Sequence, residues 1–450
     1  MKPLSDVPQP GQRTLLIPAM LDDHFPLLQY AFHSRDYFPV ILDQGQGAAE
    51  LGLRYAHNDM CYPFHLSLGQ YLLALGSGAY DLENTALLMP SAGDACRGSN
   101  FTSLIRKALV QAGYPQVKVL TLNVKGLEKD QALPLHPHMV WRALFGLFYG
   151  DLLLLLTHQT RPWEAVPGAA EACRAQWTAR LAEELKTGRG LTLGRMRQVF
   201  AQAAADFAKI PLRPGPRRRV ALVGELYTKY CALGNWDMVA FLEGEGWEVA
   251  VNGFSWYLLY YASNQIAAGG PAQGVWRGLS RWVAGLQQDL CRALADHGFF
   301  TLPPFPAFQR EAAAWISQDL QVADGWLIGA EAAAWLRAGC SRVLAMQPFG
   351  CLPNHVVGRG VAKRLKEMYP DAQILPLDYD PDVSFANLEN RLQMLIMTEK
   401  ARQQAAAAHR SGDDHSAPPA PPAAAHEPVD RRPAARRRGS RTAAVVPAQS

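Results

Sequence analysis

Three of the seven cysteines in this 450-residue chain share one sequence context. Cys61 in HNDMCYPFH lies just before a predicted helix start, and Cys96 in SAGDACRGSN lies between a predicted strand and a helix. Cys351 in QPFGCLPNH also lies between a strand and a helix. Open parallel sheets bind ligands beyond the carboxyl ends of their strands, where helix amino termini carry positive partial charge. The pattern therefore predicts that these thiols meet at a ligand site, with pKa values lowered towards the thiolate that metals bind.

The number of these thiols restricts the kind of site. Structural zinc sites use four Cys or His ligands at short spacings, and this sequence contains no CxxC pair. Three cysteines could instead hold a [4Fe-4S] cluster and leave one iron open to a substrate oxygen, which would create a Lewis-acid and redox centre. In the alternative interpretation, the three are fortuitous loop residues in an enzyme or binding protein whose cleft takes a phosphorylated or CoA-linked ligand.

The other four cysteines are predicted to be small buried hydrophobic residues. Cys173 and Cys291 lie inside helical stretches, Cys340 follows a helix end, and Cys231 follows the strand that opens the second α/β part of the chain. None of the four shares the helix-start context, so we assign them no ligand role.

Few other catalytic motifs are present. The sequence contains no GxxxxGK[ST], HExxH or GxSxG motif and no GxGxxG after a strand, so nucleotide hydrolysis and simple hydride transfer have no recognisable carrier. His65 and His355 lie near the cysteine loops and could orient a substrate, with an ordinary core or surface position as the alternative. Asp378 and Asp380 flank a strand end, where turn formation explains them as well as catalysis does.

Short apolar strand candidates alternate with helical stretches in two parts of the chain, which is typical of parallel sheets covered by helices. The candidates are Thr14–Ala19, Phe38–Leu42, Ala86–Pro90, Val117–Asn123, Val220–Tyr227, Trp247–Val251, Arg342–Gln347 and Gln373–Tyr379. We predict an α/β fold with two open parallel-sheet domains, flavodoxin-like or Rossmann-like, a helical insert and a disordered C-terminal tail. The predicted boundaries are 1–130 for the first α/β domain, 131–213 for the helical region, 214–408 for the second α/β domain and 409–450 for the tail.

Charge and hydropathy restrict the partners. The net charge is +4, and residues 411–450 hold six Arg against four acidic residues, so half of the excess lies in the predicted tail. A nearly neutral body gives little reason to expect nucleic acid or a membrane surface as the main partner, although the basic tail could bind nucleic acid weakly.

The first residues show no secretion signal, which favours a cytoplasmic protein with reduced thiols. The longest apolar stretch, Met139–Leu156, is interrupted by Arg142 and Asp151 and is predicted to be a buried helix.

The cysteine loops resemble a known family. The segments HNDMCYPFHLSLGQYLLAL, SAGDACRGSNFTSLIRKAL and MQPFGCLPNHVVGRGVAKRLKEMYPDAQILPLDYDPDVSFANLENR are similar to the 2-hydroxyacyl-CoA dehydratase superfamily, whose reference proteins include the D component of 2-hydroxyglutaryl-CoA dehydratase. The similarity is greatest to the acyl-CoA dehydratase activase-related branch. It extends over roughly residues 14–400.

This resemblance implies a function and a set of ligands. Cys61, Cys96 and Cys351 match the positions that hold a [4Fe-4S] cluster in a cleft between two α/β domains. In the family, a separate ATPase activator donates one low-potential electron, and the cluster passes it to a small 2-hydroxyacyl-CoA thioester. The ketyl radical anion formed on the substrate then expels the hydroxyl group. The chain lacks the DxGST-type loop of such an ATPase, so the activator must be another polypeptide.

The resemblance also implies a homodimer or heterodimer and a role in anaerobic metabolism. A lyase or electron-transfer component is the expected activity. The alternative within the same family is a non-catalytic or regulatory partner of the activase system.

Overall fold

The computed structural model describes residues 4–91, 96–122, 132–381 and 384–412. The chain divides into two compact units, of which the first ends at Arg391 and the second begins at Leu392. Both sheets and the three candidate ligands lie in the first unit. Residues 413–450, which make up most of the predicted tail, lie outside the described residues.

Two four-stranded, all-parallel sheets form the framework of the first unit. The strands are β1 (Arg13–Ile17), β2 (Tyr37–Ile41), β3 (Thr85–Pro90), β4 (Lys118–Leu122), β5 (Arg219–Gly224), β6 (Glu248–Ala250), β7 (Arg342–Pro348) and β8 (Gln373–Tyr379). The strand order is β2-β1-β3-β4 in one sheet and β6-β5-β7-β8 in the other, so the two sheets share one topology. The predicted α/β fold with two parallel-sheet domains is confirmed.

Each sheet reverses its winding direction between its first and third strands, that is, between β1 and β3 and between β5 and β7. At such a switch point the following loops diverge to opposite faces and leave a crevice beyond the strand ends. The register places Leu16 opposite Leu87 in the first sheet and Gly224 opposite Met346 in the second. The loops after β3 and β7 therefore occupy equivalent positions in the two sheets.

One predicted strand extends too far. The segment Val220–Tyr227 is apolar throughout its first half, but β5 ends at Gly224, and Glu225 caps the helix that begins at Leu226. Gly224 has a φ of 118°, and a Cβ atom there would collide with the carbonyl oxygen of Met346 on the neighbouring strand. Only glycine fits at this point, and the chain leaves the sheet directly after it.

Sixteen helices lie within the described ranges and surround the sheets. They are α1 (Phe25–Phe32), α2 (Ala48–Tyr55), α3 (Tyr62–Gly76), α4 (Phe101–Gln111), α5 (Pro137–Thr160), α6 (Ala169–Thr187), α7 (Leu193–Ala208), α8 (Leu226–Tyr230), α9 (Ala232–Asn235), α10 (Met238–Gly244), α11 (Phe254–Ala268), α12 (Gln273–Ala295), α13 (Phe305–Ala313), α14 (Gly325–Arg337), α15 (Arg359–Met368) and α16 (Phe385–Gly412). Short 3₁₀ turns also occur, including Arg97–Asn100, and Asn354–Gly358 forms a π-helix.

Helices α5 to α7 form the predicted helical region. The segment Pro137–Trp163 is long and apolar enough to cross a membrane, but 78% of its most apolar window is buried inside the protein. Its two polar interruptions have partners, because Arg142 Nε donates to the carbonyl of Leu185 at 2.8 Å and Asp151 pairs with His24 at 2.8 Å. As predicted, this segment is a largely buried helix.

The largest hydrophobic core joins the helical region to the second sheet. Phe148 of α5 and Phe200 of α7 belong to the same cluster of buried side chains as Val223 of β5 and Trp326 of α14. Because burial of apolar surface is the main stabilising term, the helical region and the second sheet support one another. The domain boundaries stay predictions, since all of these elements fall within one compact unit.

Candidate functional site

Cys61 is positioned by the start of α3. It is the residue directly before the helix, and its carbonyl accepts the amide of Phe64 at 2.9 Å. Pro63 occupies the first turn, where its missing N–H group costs nothing, which is why the helix begins here. The side chain of Cys61 is only 9% exposed and packs in the core of the first sheet with Phe64 and Leu68.

Cys96 lies in the loop that follows β3. Residues 92–95 of this loop lie outside the described residues, and Cys96 itself precedes the 3₁₀ turn Arg97–Asn100. The amide of Gly98 donates to the sulfur of Cys96 at 3.4 Å. Cys96 is partly exposed, unlike the other two candidate ligands.

Cys351 lies in the equivalent loop after β7. The amide of Cys351 donates to the carbonyl of Pro348 at 3.1 Å, and its own carbonyl accepts the amide of His355 at 3.0 Å. Asn354 Nδ2 donates to the sulfur of Cys351 at 3.2 Å. The side chain of Cys351 is 8% exposed, so its sulfur is held in a defined position inside the protein.

The three cysteine loops converge on one region. Cys96 and Glu225 both raise the pKa of Cys61, and Glu225 also raises the pKa of Cys351, so these groups lie within electrostatic range of one another. The guanidinium of Arg97 packs against Gly350, where a Cβ atom would lie 3.4 Å from Arg97 Nη1. Arg97 and Gly350 are the neighbours of Cys96 and Cys351, so this contact brings the loops of the two sheets together.

The geometry differs from that of a site for a single metal ion. Within the ranges that the structure describes, no three His, Cys, Asp or Glu side chains are close enough together to bind one ion. In a [4Fe-4S] cluster each thiolate binds a different iron, so its ligands are spread around a larger group. The cluster at Cys61, Cys96 and Cys351 therefore stays a prediction.

The expectation that helix amino termini lower the thiol pKa values is wrong for two of the three cysteines. Burial raises the pKa of Cys61 to about 12, and the negative charge of Glu225 adds to the effect. Burial and Glu225 also raise the pKa of Cys351 well above its ordinary value. Hydrogen bonds from the amide of Phe64 and from Asn354 act in the opposite direction but do not compensate for the loss of water.

The raised pKa values bear on how a metal would bind. A raised pKa means that each buried thiol gives up its proton less readily than an exposed one. Metal binding would therefore release their protons, as metal binding to thiols generally does.

Glu225 is a site residue that the sequence analysis missed. It follows β5 directly, its amide donates to the carbonyl of Met346 at 2.9 Å, and its carboxylate accepts the amides of Tyr227 and Thr228 at 3.0 and 2.9 Å. Burial raises its pKa, whereas these amides lower it. The predicted strand Val220–Tyr227 included Glu225, so the preference for acidic residues before a helix could have identified it only if the strand end at Gly224 had been known.

An aromatic group borders Cys61 on the side of the second sheet. Tyr62 stacks on Tyr379 with ring centroids 6.4 Å apart, and Trp236 meets Tyr379 edge-on at 5.4 Å. Trp236 and Asp237 have φ values of 54° and 56°, a left-handed conformation that side chains rarely adopt. Such strain persists only where surrounding contacts enforce it.

The two histidines near the cysteine loops have structural partners. His65 is fully buried in α3, and its Nε2 atom lies 3.1 Å from the carbonyl oxygen of His57. His355 Nδ1 lies 2.9 Å from the carbonyl oxygen of Cys351. These contacts support the core interpretation for His65 and tie the ring of His355 to the Cys351 loop, so a role of His355 in orienting a substrate stays a prediction.

Asp378 and Asp380, the acidic pair near the end of β8, were the other candidate catalytic residues. The carboxylate of Asp378 accepts from Arg359 at 2.7 Å, an ion pair that fixes α15 to the strand. Asp380 lies in the loop directly after β8. Asp378 lies inside β8 and not in a turn, so the turn interpretation is wrong for this residue, and the ion pair accounts for its position.

The remaining cysteines differ in exposure. Cys231, Cys291 and Cys340 are buried, as the prediction of core positions requires, whereas Cys173 in α6 is partly exposed. Cys173 was thus predicted to be more buried than it is, because a helical sequence context does not reveal which turn faces solvent.

The sequence matches no known protein-family model and no curated protein. The resemblance of the cysteine loops to the 2-hydroxyacyl-CoA dehydratase superfamily therefore stays a prediction, and the function has to be argued from the site.

Proposed function

We propose that this chain is an iron-sulfur protein of the 2-hydroxyacyl-CoA dehydratase type, in which Cys61, Cys96 and Cys351 hold a [4Fe-4S] cluster. The observation that carries the proposal is the convergence of the three loops around Arg97 and Glu225. Two of the loops occupy equivalent switch points in two sheets of the same topology, which is where ligands bind in open α/β folds.

The chain's own residues have separate tasks in this proposal. Arg97 supplies positive charge beside a group whose thiolate ligands are negative, and Asn354 holds one ligand by its sulfur. Cys96 is the partly exposed ligand, so a substrate would approach from its side. When bound, the cluster would supply a low-potential electron and an iron with an open coordination position.

The proposed substrate is a small acyl-CoA-like thioester, and the proposed electron source is a separate ATPase activator. The ATPase is assigned to another polypeptide because the sequence has no DxGST-type loop. A cytoplasmic location, anaerobic metabolism and a dimeric assembly belong to the same proposal.

Iron and sulfide analysis tests the cluster. Protein purified anaerobically should contain about four iron and four sulfide per chain and absorb near roughly 400 nm. Cys61→Ala, Cys96→Ala and Cys351→Ala should each lose the iron. Cys173→Ala and Cys291→Ala are the matched controls and should retain it. An iron-free wild-type protein from an iron-replete preparation would contradict the proposal.

A turnover assay tests the dehydratase activity separately. Iron-loaded protein is mixed with a candidate ATPase, ATP, a strong reductant and a panel of 2-hydroxyacyl-CoA thioesters, and the enoyl products are quantified. Product formation that requires ATP supports the catalytic role. Full iron content, binding of the ATPase and no turnover would instead identify a regulatory partner of the activase system.

A second candidate function is a cleft enzyme or binding protein without a cluster. The burial and raised thiol pKa values of Cys61 and Cys351 favour it, since buried cysteines are common core residues. In that case the iron-free protein should bind CoA or a phosphorylated compound, measured by calorimetry, and the three Cys→Ala variants should bind it as well as the wild type does.

A further inference from the structure

We infer that Asn354 is a positioning residue that makes the proposed cluster easier to reduce, by donating a hydrogen bond to the sulfur of Cys351. The inference rests on the proposed function, because it concerns a ligand of the proposed cluster. It adds a residue that the ligand set does not include.

The contact is direct and shielded from water. Asn354 Nδ2 lies 3.2 Å from Cys351 Sγ, and the side chain of Asn354 is 0% exposed. Water cannot replace the amide as a donor at this depth. The Asn354 amide is therefore the side-chain donor that the structure places on the Cys351 sulfur.

The oxygen of the Asn354 side-chain amide differs from its nitrogen in having no hydrogen-bond partner among the described residues. This atom, Oδ1, is buried. Gly358 of the same π-helix packs closely against it, since a Cβ atom there would lie 3.5 Å from this oxygen. Burying the Asn354 side-chain amide with an unpaired oxygen costs free energy of desolvation. The hydrogen bond from its N–H group to the Cys351 sulfur is the interaction gained in return.

The backbone conformation explains why the side-chain amide of Asn354 reaches the sulfur of Cys351. Asn354 opens the π-helix Asn354–Gly358, a wide turn that is often found at functional sites. His355 holds the carbonyl of Cys351 through its amide at 3.0 Å, which fixes the cysteine relative to the helix. The side chain three residues after Cys351 then projects back over it.

The expected effect of this hydrogen bond on the reduction potential follows from the charge that the proposed cluster gains when it is reduced. One electron from an external reductant adds one negative charge to the cluster and its ligands, with no bond formed or broken and no proton required. A donated N–H group stabilises a more negative sulfur more strongly. Hydrogen bonds to ligand sulfur therefore raise the reduction potential, and loss of the Asn354 donor should lower it.

An equilibrium redox titration of the full-length, iron-loaded protein tests this inference, with the reduced cluster followed by electron paramagnetic resonance. Asn354→Leu removes the donor at similar volume, and Asn354→Asp keeps the shape but adds negative charge. The midpoint potential should shift to more negative values in both variants, and further in Asn354→Asp. Asn264→Leu, at a buried position in α11, is the control and should titrate like the wild type.

The outcomes separate the inference from the proposed function. Iron-loaded Asn354 variants with the wild-type potential would overturn the inference alone, since a merely structural asparagine changes the melting temperature but not the potential. A wild-type protein without iron would overturn both. If Asn354→Leu does not fold, Asn354→Asp decides the question by the same comparison.

Discussion

The indole N–H of Trp236 donates to the hydroxyl of Tyr62 at 3.1 Å. Tyr62 follows Cys61 directly and belongs to the first α/β half, whereas Trp236 lies between α9 and α10 in the second. Tyr62 also stacks on Tyr379 at the end of β8. This group of contacts ties the start of α3, and with it the loop of Cys61, to the second half of the protein.

A double-mutant cycle tests this connection. Trp236→Phe and Tyr62→Phe each remove one partner of the hydrogen bond and should lower the free energy of unfolding by about 0.5–1.5 kcal/mol. Because both remove the same interaction, the double variant should lose less than the sum of the two. Urea unfolding of the three variants measures the coupling; strictly additive losses would show that the hydrogen bond contributes no stability.

Two glycine substitutions should change stability in opposite directions. A Cβ atom at Gly150 in α5 would collide with the His24 side chain and lie 3.0 Å from its Cα, so Gly150→Ala should destabilise by about 1–3 kcal/mol. Gly278 in α12 is exposed with nothing near its Cβ position, so Gly278→Ala should stabilise by about 0.5–1 kcal/mol. Thermal unfolding of both variants checks the signs, and a stabilised Gly150→Ala protein would contradict the packing.

Alkylation of the iron-free protein should follow exposure and thiol pKa. With a pKa of about 12, Cys61 is thiolate in only about one molecule in ten thousand at pH 8. Cys96 and Cys173 are partly exposed and should react with iodoacetamide first, although the raised pKa of Cys173, about 11, makes it slow for an exposed thiol.

Peptide mass spectrometry over time gives the order of reaction at each cysteine. The rate at Cys61 should rise about tenfold per pH unit between pH 8 and 10, as its thiolate fraction does. The denatured protein, in which all seven thiols are accessible, is the control. Equal rates at Cys61 and Cys96 in the native protein would show that Cys61 is not buried.

Stability should fall in mild acid because of buried histidines. Burial lowers the pKa of His33 and of His158 below the ordinary value of 6.5, so the native state binds these protons less readily than the unfolded chain does. The unfolded chain takes up these protons once the pH falls below about 6.5. Stability is therefore complete above that pH and declines as the pH falls towards the native pKa values, by up to about 1.4 kcal/mol per pH unit and group.

Urea unfolding at several pH values between 8 and 5 measures this decline. His33→Gln removes one titrating group and should make the decline shallower, while the exposed His57 provides the control, since His57→Gln should leave it unchanged. A slope that is identical in wild type and His33→Gln would contradict the assignment to His33.

The sheets could be predicted because their strands are short apolar runs between turn residues. The predicted segments Ala86–Pro90 and Gln373–Tyr379 coincide with β3 and β8 almost residue for residue. The end of β5 could not be predicted, since the constraint on Gly224 comes from a strand that lies more than a hundred residues away in sequence. The common strand order of the two sheets likewise depends on tertiary pairing.

The candidate site was predictable in its chain positions but not in its electrostatics. The loops of Cys61, Cys96 and Cys351 follow from strand and helix order, which local patterns report. Their pKa values depend on how deeply each thiol is buried and on Glu225, which enters the site only through the packing of β5 beside β7. Asn354 was likewise hidden, because a π-helix has no reliable sequence signature.

The buried carboxylate of Asp151 has a consequence for how the protein unfolds. It binds His24 of the first half at 2.8 Å and caps α11 of the second half through the amide of Ser255 at 3.0 Å, while α5 itself belongs to the helical region. Opening either the first or the second half would remove some of the partners of this buried side chain, and such a loss is costly inside the protein. The chain up to Arg391 should therefore melt in a single cooperative transition, and partly unfolded forms that retain one intact sheet should be scarcely populated.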